Sequence, residues 1–140
     1  MKLLVVCVGR LKDRPLETLI SDYVQRSSKY LDLRIKEVKD QSRLMAAVPK
    51  HYRTVALDER GRQLSTSQLA KLLAGWMGSS LKGVAWLIGP AAGLDPDIRG
   101  AADDCIALSR LTFPHRIARL LLCEQLYRAL TIIRSTPYHK

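Results

Sequence analysis

The feature that most restricts this chain is its last helical pattern, about residues 114–134. Ile117, Ala118, Leu120, Leu121, Leu122, Leu126, Ala129, Leu130, Ile132 and Ile133 spread over more than one helical face. A surface helix normally shows its core one apolar stripe. A helix with this much apolar surface must be covered by its own domain and by a second subunit. The chain has 140 residues, 47% of them hydrophobic, which makes one domain (1–140) with a modest core. The pattern therefore predicts a homodimer that uses the last helix.

The rest of the chain alternates between strand and helix patterns. Leu3-Leu4-Val5-Val6-Cys7-Val8 is a continuous apolar run closed by Gly9, the mark of a strand buried on both faces. Pro15 opens a helix whose apolar positions are Leu16, Leu19, Ile20, Tyr23 and Val24. Leu31, Leu33 and Ile35 alternate with charged residues, so this second strand shows one face to water. Residues 40–49 read as a short helix stopped by Pro49. Residues 52–57 are a third strand, and Asp58-Glu59-Arg60-Gly61-Arg62 a charged loop. Ser65-Thr66-Ser67-Gln68 is a capping box, opening a helix that presents Trp76 as a core or interface anchor. Residues 84–88 are a fourth buried strand, followed by Gly89-Pro90-Ala91-Ala92-Gly93 and a helix from about Asp95. Residues 105–108 are a fifth strand. The class is α/β, with a mainly parallel sheet and helices on both faces.

Charge points to the partner. The chain has 23 Lys+Arg against 13 Asp+Glu, a net +10, which suits a polyanion such as RNA. From Arg110 onward there are six Lys or Arg and one acidic residue, so half the net charge lies in the last quarter. Cys7, Cys105 and Cys123 are far apart in apolar runs and match no zinc or redox spacing. They read as buried thiols of a reducing compartment. No run is long enough for a signal core or a membrane span, so the expectation is a cytoplasmic protein that needs no membrane and no metal.

Chemistry concentrates at the end of the chain. Pro114 fits a helix start, and His115, Arg116 and Arg119 follow it, which makes a plausible anion site. The tail Pro137-Tyr138-His139-Lys140 has no helix or strand pattern, yet carries a ring, an imidazole and a cation. Glu124 and Arg128 have the i, i+4 spacing of a structural ion pair.

Leu111-Thr112-Phe113-Pro114-His115, Glu124-Gln125-Leu126-Tyr127-Arg128-Ala129 and the Pro-Tyr-His-Lys ending together resemble the C-terminal signature of the RlmH family. These are SPOUT-class methyltransferases of 23S rRNA, and the resemblance runs over nearly the whole chain. It implies a C-terminal trefoil knot, where pattern alone draws an unknotted, doubly wound sheet. It implies S-adenosylmethionine as methyl donor, held by Leu57, Gly89 and Leu108-Ser109-Arg110-Leu111-Thr112-Phe113. It implies N3 of a pseudouridine in 23S rRNA of the ribosome as acceptor. The candidates for that chemistry are His139 as base or proton relay, with Arg119 and His115 stabilising the anion. Arg110, Arg116, Arg119, Tyr138 and Lys140 are the expected RNA contacts. One departure is visible: the family loop is usually Gly-Gly-Pro-Glu-Gly, and here Pro90 replaces a glycine and Ala92 the carboxylate. That change keeps two alternatives open: another SPOUT enzyme acting on tRNA or a ribose hydroxyl, or a non-catalytic basic RNA-binding module.

Overall fold

The apolar run at the N-terminus forms the middle of a parallel sheet. The computed structural model describes residues 1–138, so His139 and Lys140 lie outside the described residues. Strand β1 (Lys2–Val8) pairs with β2 (Asp32–Val38) on one side and β4 (Gly83–Ile88) on the other. Strand β4 also pairs with β3 (Tyr52–Gln63), which pairs with β5 (Asp104–Ala107). The order is β2-β1-β4-β3-β5, and every pairing is parallel. Every residue of β4 is buried, as a central strand covered on both faces requires.

Helices α1 (Arg14–Ser27), α2 (Thr66–Met77) and α4 (His115–Ile133) cover one face. Their core takes Leu3, Val5, Cys7, Trp86 and Ile88 from the sheet and Leu73, Leu122, Leu126 and Leu130 from the helices. Trp76 is buried and meets Trp86 edge-on at 6.2 Å, the core anchor its helical position predicted. The capping box of α2 is closed in both directions: Gln68 N–H donates to Ser65 Oγ at 3.1 Å, and Ser65 N–H to Gln68 Oε1 at 2.8 Å. The short helix α3 (Pro96–Ala101) and residues 41–47 cover the other face, over Val6, Val8, Ala56 and Leu87.

The structure corrects three sequence readings. Residues 40–49 form two 3-10 turns, Gln41–Arg43 and Met45–Ala47, not a short α-helix. Leu44 alone is fully buried there, so the segment lacks an apolar stripe that would stabilise further turns. The charged residues after Leu57 are not a free loop, because β3 continues to Gln63. The ladder slips between Leu57 and Arg62, both of which oppose Ile106. A Cβ on Gly61 would lie 2.6 Å from Ile106 N, so glycine lets the two backbones touch there. Finally, Cys105 is only half-buried. Burial pushes the Cys7 and Cys123 thiols up to about 12, so these two stay protonated.

Candidate active site

Parallel strands put their C-terminal ends on one edge of a sheet, where ligands of open α/β folds collect. Here the slipped stretch of β3 and the loops after β4 and β5 meet the start of α4 around a pocket of about 180 Å3. Leu57, Gly89, Leu108, Ser109, Leu111, Thr112, Phe113 and His115 all line it. Residues up to 58 positions apart in sequence thus share one wall. Arg110 is exposed and does not line the pocket. A second cavity of about 260 Å3 shares Leu57, Leu108 and Phe113 with the first and continues along Leu69, Trp86, Leu122 and Gln125.

Sequence reasoning missed Asp58, Glu59 and Arg60, which bulge from the slipped ladder into the pocket wall. Asp58 is nearly buried and faces Arg99 Nη1 at 3.6 Å, while Arg99 also donates to the Leu94 carbonyl at 2.9 Å. Glu59 accepts a hydrogen bond from the Thr112 hydroxyl and so ties the slipped stretch of β3 to the loop after β5. The signal available was three charges placed directly after a buried strand.

The glycine loop is braced from below. Gln41 Nε2 donates to the Gly93 carbonyl at 3.0 Å, and Asp95 N–H donates to Gln41 Oε1 at 2.7 Å. Gly93 has φ +89, a conformation that favours glycine. A Cβ at Gly89 would stand 2.9 Å from Leu94 N, so the loop folds back on itself only because residue 89 has no side chain.

His115 is half-buried at the pocket, just after Pro114, which is the N-cap of α4. Burial, then the charges of Arg116 and Arg119, hold its pKa below the usual 6.5. It is therefore neutral at pH 7, a better proton acceptor than a cationic anion clamp. Arg116 is half-buried, and its Nε has no partner.

Arg119 departs from expectation as an RNA contact. It is 2% exposed, its Nη1 donates to Glu37 Oε2 at 2.6 Å, and its Nη2 to the Gly9 carbonyl at 3.2 Å. The helical turn that carries it faces β1 and β2, not solvent. A buried guanidinium held by a carboxylate cannot also meet a phosphate from outside.

Tyr138 is the other departure, because it lies away from this pocket. Its ring meets Tyr127 edge-on at 4.7 Å, Arg128 sits 4.8 Å from its centroid, and its hydroxyl donates to the Tyr23 hydroxyl at 3.3 Å. Burial, then the bond to Tyr23, pushes its pKa up to about 12. Arg128 is held in the expected ion pair with Glu124, at 2.7 Å. His139 and Lys140, the remaining tail candidates, lie outside the described residues. Among the described residues no helix is long and apolar enough to cross a membrane, and no acidic, Cys and His cluster is placed to hold a metal.

Residues 1–139 match the family model described as a predicted SPOUT methyltransferase. The chain is 42% identical to a ribosomal RNA large subunit methyltransferase H of Polynucleobacter asymbioticus, over 100% of this chain and 99% of that one. It is 40% identical to the Paraburkholderia xenovorans protein of the same name, with the same coverage. Among solved structures, a probable methyltransferase from Bordetella pertussis superposes with TM-score 0.60 at 13% identity, covering 92% of this chain and 96% of that one. The SpoU methyltransferase AviRb of Streptomyces viridochromogenes, in complex with AdoMet, superposes with TM-score 0.54 at 14% identity, covering 97% and 59%. With full-length relatives at this identity and a fold shared with known methyltransferases, the chain belongs to the SPOUT methyltransferase family and, within it, to the ribosomal RNA large subunit methyltransferase H family.

Proposed function

We propose that this chain transfers a methyl group from S-adenosylmethionine to N3 of a pseudouridine in 23S rRNA, as a cytoplasmic homodimer. The observation that carries the reading is the pocket at the C-terminal edge of the sheet, with His115 in its lining, in a chain whose relatives are named for large-subunit rRNA. The C-terminal trefoil knot of the class belongs to the same reading.

The pocket residues fit the donor. Leu57, Leu108 and Phe113 offer apolar walls for a purine ring, and loop N–H and C=O groups can read its edge. Asp58 and Glu59 put two carboxylates in the same wall, which could accept from the hydroxyls of the donor's ribose. They also supply the charge that Ala92 lacks. S-adenosylmethionine brings a methyl group activated by a sulfonium. The protein's work is to hold the acceptor nitrogen in line and to remove its proton. His139 remains the candidate base, and neutral His115 can take or relay the proton. Arg116 follows His115 at the start of α4 and is the remaining candidate to steady the anion of the deprotonated base.

The dimer rests on α4. Ile117 and Leu121, one turn apart, stay half-exposed and join none of the apolar clusters among the described residues. A second copy of α4 would cover them. Light scattering at micromolar concentration should give twice the chain mass; a monomer mass would count against the interface.

The direct test is transfer of labelled methyl from S-adenosylmethionine to large ribosomal subunits, followed by nucleoside analysis. Label is expected on a pseudouridine base. Label on a ribose, or donor binding without transfer, would favour one of the alternatives. A pH profile tests His115. Transfer should stay level down to about pH 6.5 and fall below it, because the imidazole must be neutral and its pKa is depressed. His115→Gln should abolish that acid limb; a limb centred above the usual histidine value would point to another group.

A further inference from the structure

The loop after β1 carries Arg10 and Lys12, and Arg14 opens α1; all three are exposed, and none forms an ion pair among the described residues. The residues between them turn the other way. Leu11 is 8% exposed and packs against Ile20 and Cys123. Asp13 is engaged as the cap of α1, accepting from Leu16 N–H at 3.1 Å. Surface cations usually sit on flexible chain, and this loop is held from three sides. Gly9 N–H donates to the Val38 carbonyl at 2.8 Å, and Leu11 N–H to Glu37 Oε2 at 2.8 Å. Arg119 grips the Gly9 carbonyl from α4. Lys12 is kept at φ 48, a conformation that residues with a side chain rarely adopt. Backbone strain of this kind persists only where the surroundings over-determine it, and it gathers at functional segments.

The loop also leaves the same edge of the sheet as the pocket loops. Cys7 pairs with Ile88, so the chain leaving β1 runs next to Gly89. The helix that anchors the loop through Arg119 starts with pocket residue His115. Three exposed cations on the same edge of the sheet as the pocket, of which only Arg10 feels a carboxylate (Glu37), fit a phosphodiester backbone in a chain of net charge +10.

We propose that Arg10, Lys12 and Arg14 form a rigid phosphate-reading surface for the RNA strand that flanks the modified base. This rests on the rRNA-methyltransferase reading above. Arg119 then serves RNA binding from inside the protein, by fixing the loop, and not by touching RNA.

The test compares two triple variants of the full chain. Arg10→Ala/Lys12→Ala/Arg14→Ala removes the loop cations. Lys2→Ala/Lys50→Ala/Lys82→Ala removes equal charge from the opposite end of the sheet, where all three residues are exposed. Binding to a 23S rRNA fragment is measured by filter retention across a salt series, and S-adenosylmethionine binding by calorimetry. The loop variant should bind RNA at least tenfold more weakly, with a salt slope shallower by about two to three. Its donor affinity should be unchanged, and the far-end variant should behave as wild type. Equal losses in both variants, or wild-type affinity and slope in the loop variant, would overturn the proposal. So would a loop variant that lost binding only to phosphatidylglycerol vesicles. Because RNA retention needs no methyl transfer, a wild-type chain that bound the fragment but never labelled it would sink the catalytic reading and leave the surface standing.

Discussion

A chain ending at Pro137 is expected to keep its fold and its donor affinity while losing methyl transfer by about a hundredfold or more, the usual effect of removing a proton-transfer group. The cut removes Tyr138, His139 and Lys140. In the described part of the tail it deletes one edge-to-face ring pair, one cation–π contact and the hydrogen bond to Tyr23, together about 2–4 kcal/mol. A domain of ordinary stability, about 5–15 kcal/mol, survives that loss. The donor pocket should not feel it either. Tyr138 packs on Tyr127, and at 1.5 Å per residue Tyr127 lies about 18 Å along α4 from His115. The same distance explains why the tail needs a second subunit to matter. Two α4 helices packed antiparallel would bring the tail end of one beside the pocket end of the other. Melting, calorimetry with S-adenosylmethionine and labelled transfer, run on the truncated chain, separate these effects. Full turnover would make Tyr138 a plain helix-end anchor and return the search for the base to His115. His139→Ala alone should reproduce most of the loss, and Tyr138→Phe little of it.

Glu37→Ala is expected to cost about 3 kcal/mol, and to lower the melting temperature by about 10 °C. Arg119 is 2% exposed, and Glu37 is its only carboxylate partner among the described residues. Without it a guanidinium is left buried and unpaired, and Leu11 N–H loses its acceptor as well. The figure sits at the low end for a broken buried pair because the Glu37 side chain is 38% exposed. Burial raises the Glu37 pKa, but the hydrogen bonds from Arg119 and Leu11 outweigh it and hold the carboxyl below its usual 4.5. Its contribution is therefore complete above that usual value and is lost as pH falls through the lower folded one. The gap between wild type and variant, read by urea unfolding, should be widest near neutrality and close in strong acid. A gap that did not change with pH would mean that Glu37 acts through packing and not through charge.

Much of the architecture was legible in the chain. The continuous apolar runs around Val5 and Trp86 mark the two central strands, because only a strand covered on both faces has no polar alternation. Ser65 and Gln68 mark the start of α2, because a cap is a local hydrogen-bond pattern. Strand direction puts the ends of the parallel strands on one edge, while the choice of Leu57, Gly89 and Leu108 came from the family resemblance. Where the signal was local but weak, reading failed. Residues 41–47 lack a stripe, and the charges after Leu57 look like loop when one strand edge supports them.

The fate of the candidate side chains was a different matter, since it depends on partners distant in sequence. Arg116 and Arg119 look alike on paper, one turn apart after a helix start. Only the packed structure turns Arg119 inward onto Glu37, 82 residues away, and gives Arg116 no carboxylate among the described residues. Asp58 and Glu59 reach the pocket only because β3 slips against β5 at Gly61, a backbone contact with no composition of its own. Tyr138 is directed by Tyr23, 115 residues away, and by Tyr127. Sequence thus determined which elements form, because periodicity and capping act within a few residues. Tertiary structure alone decided which charges face solvent, because burying a charge is tolerable only where the fold supplies its counter-charge.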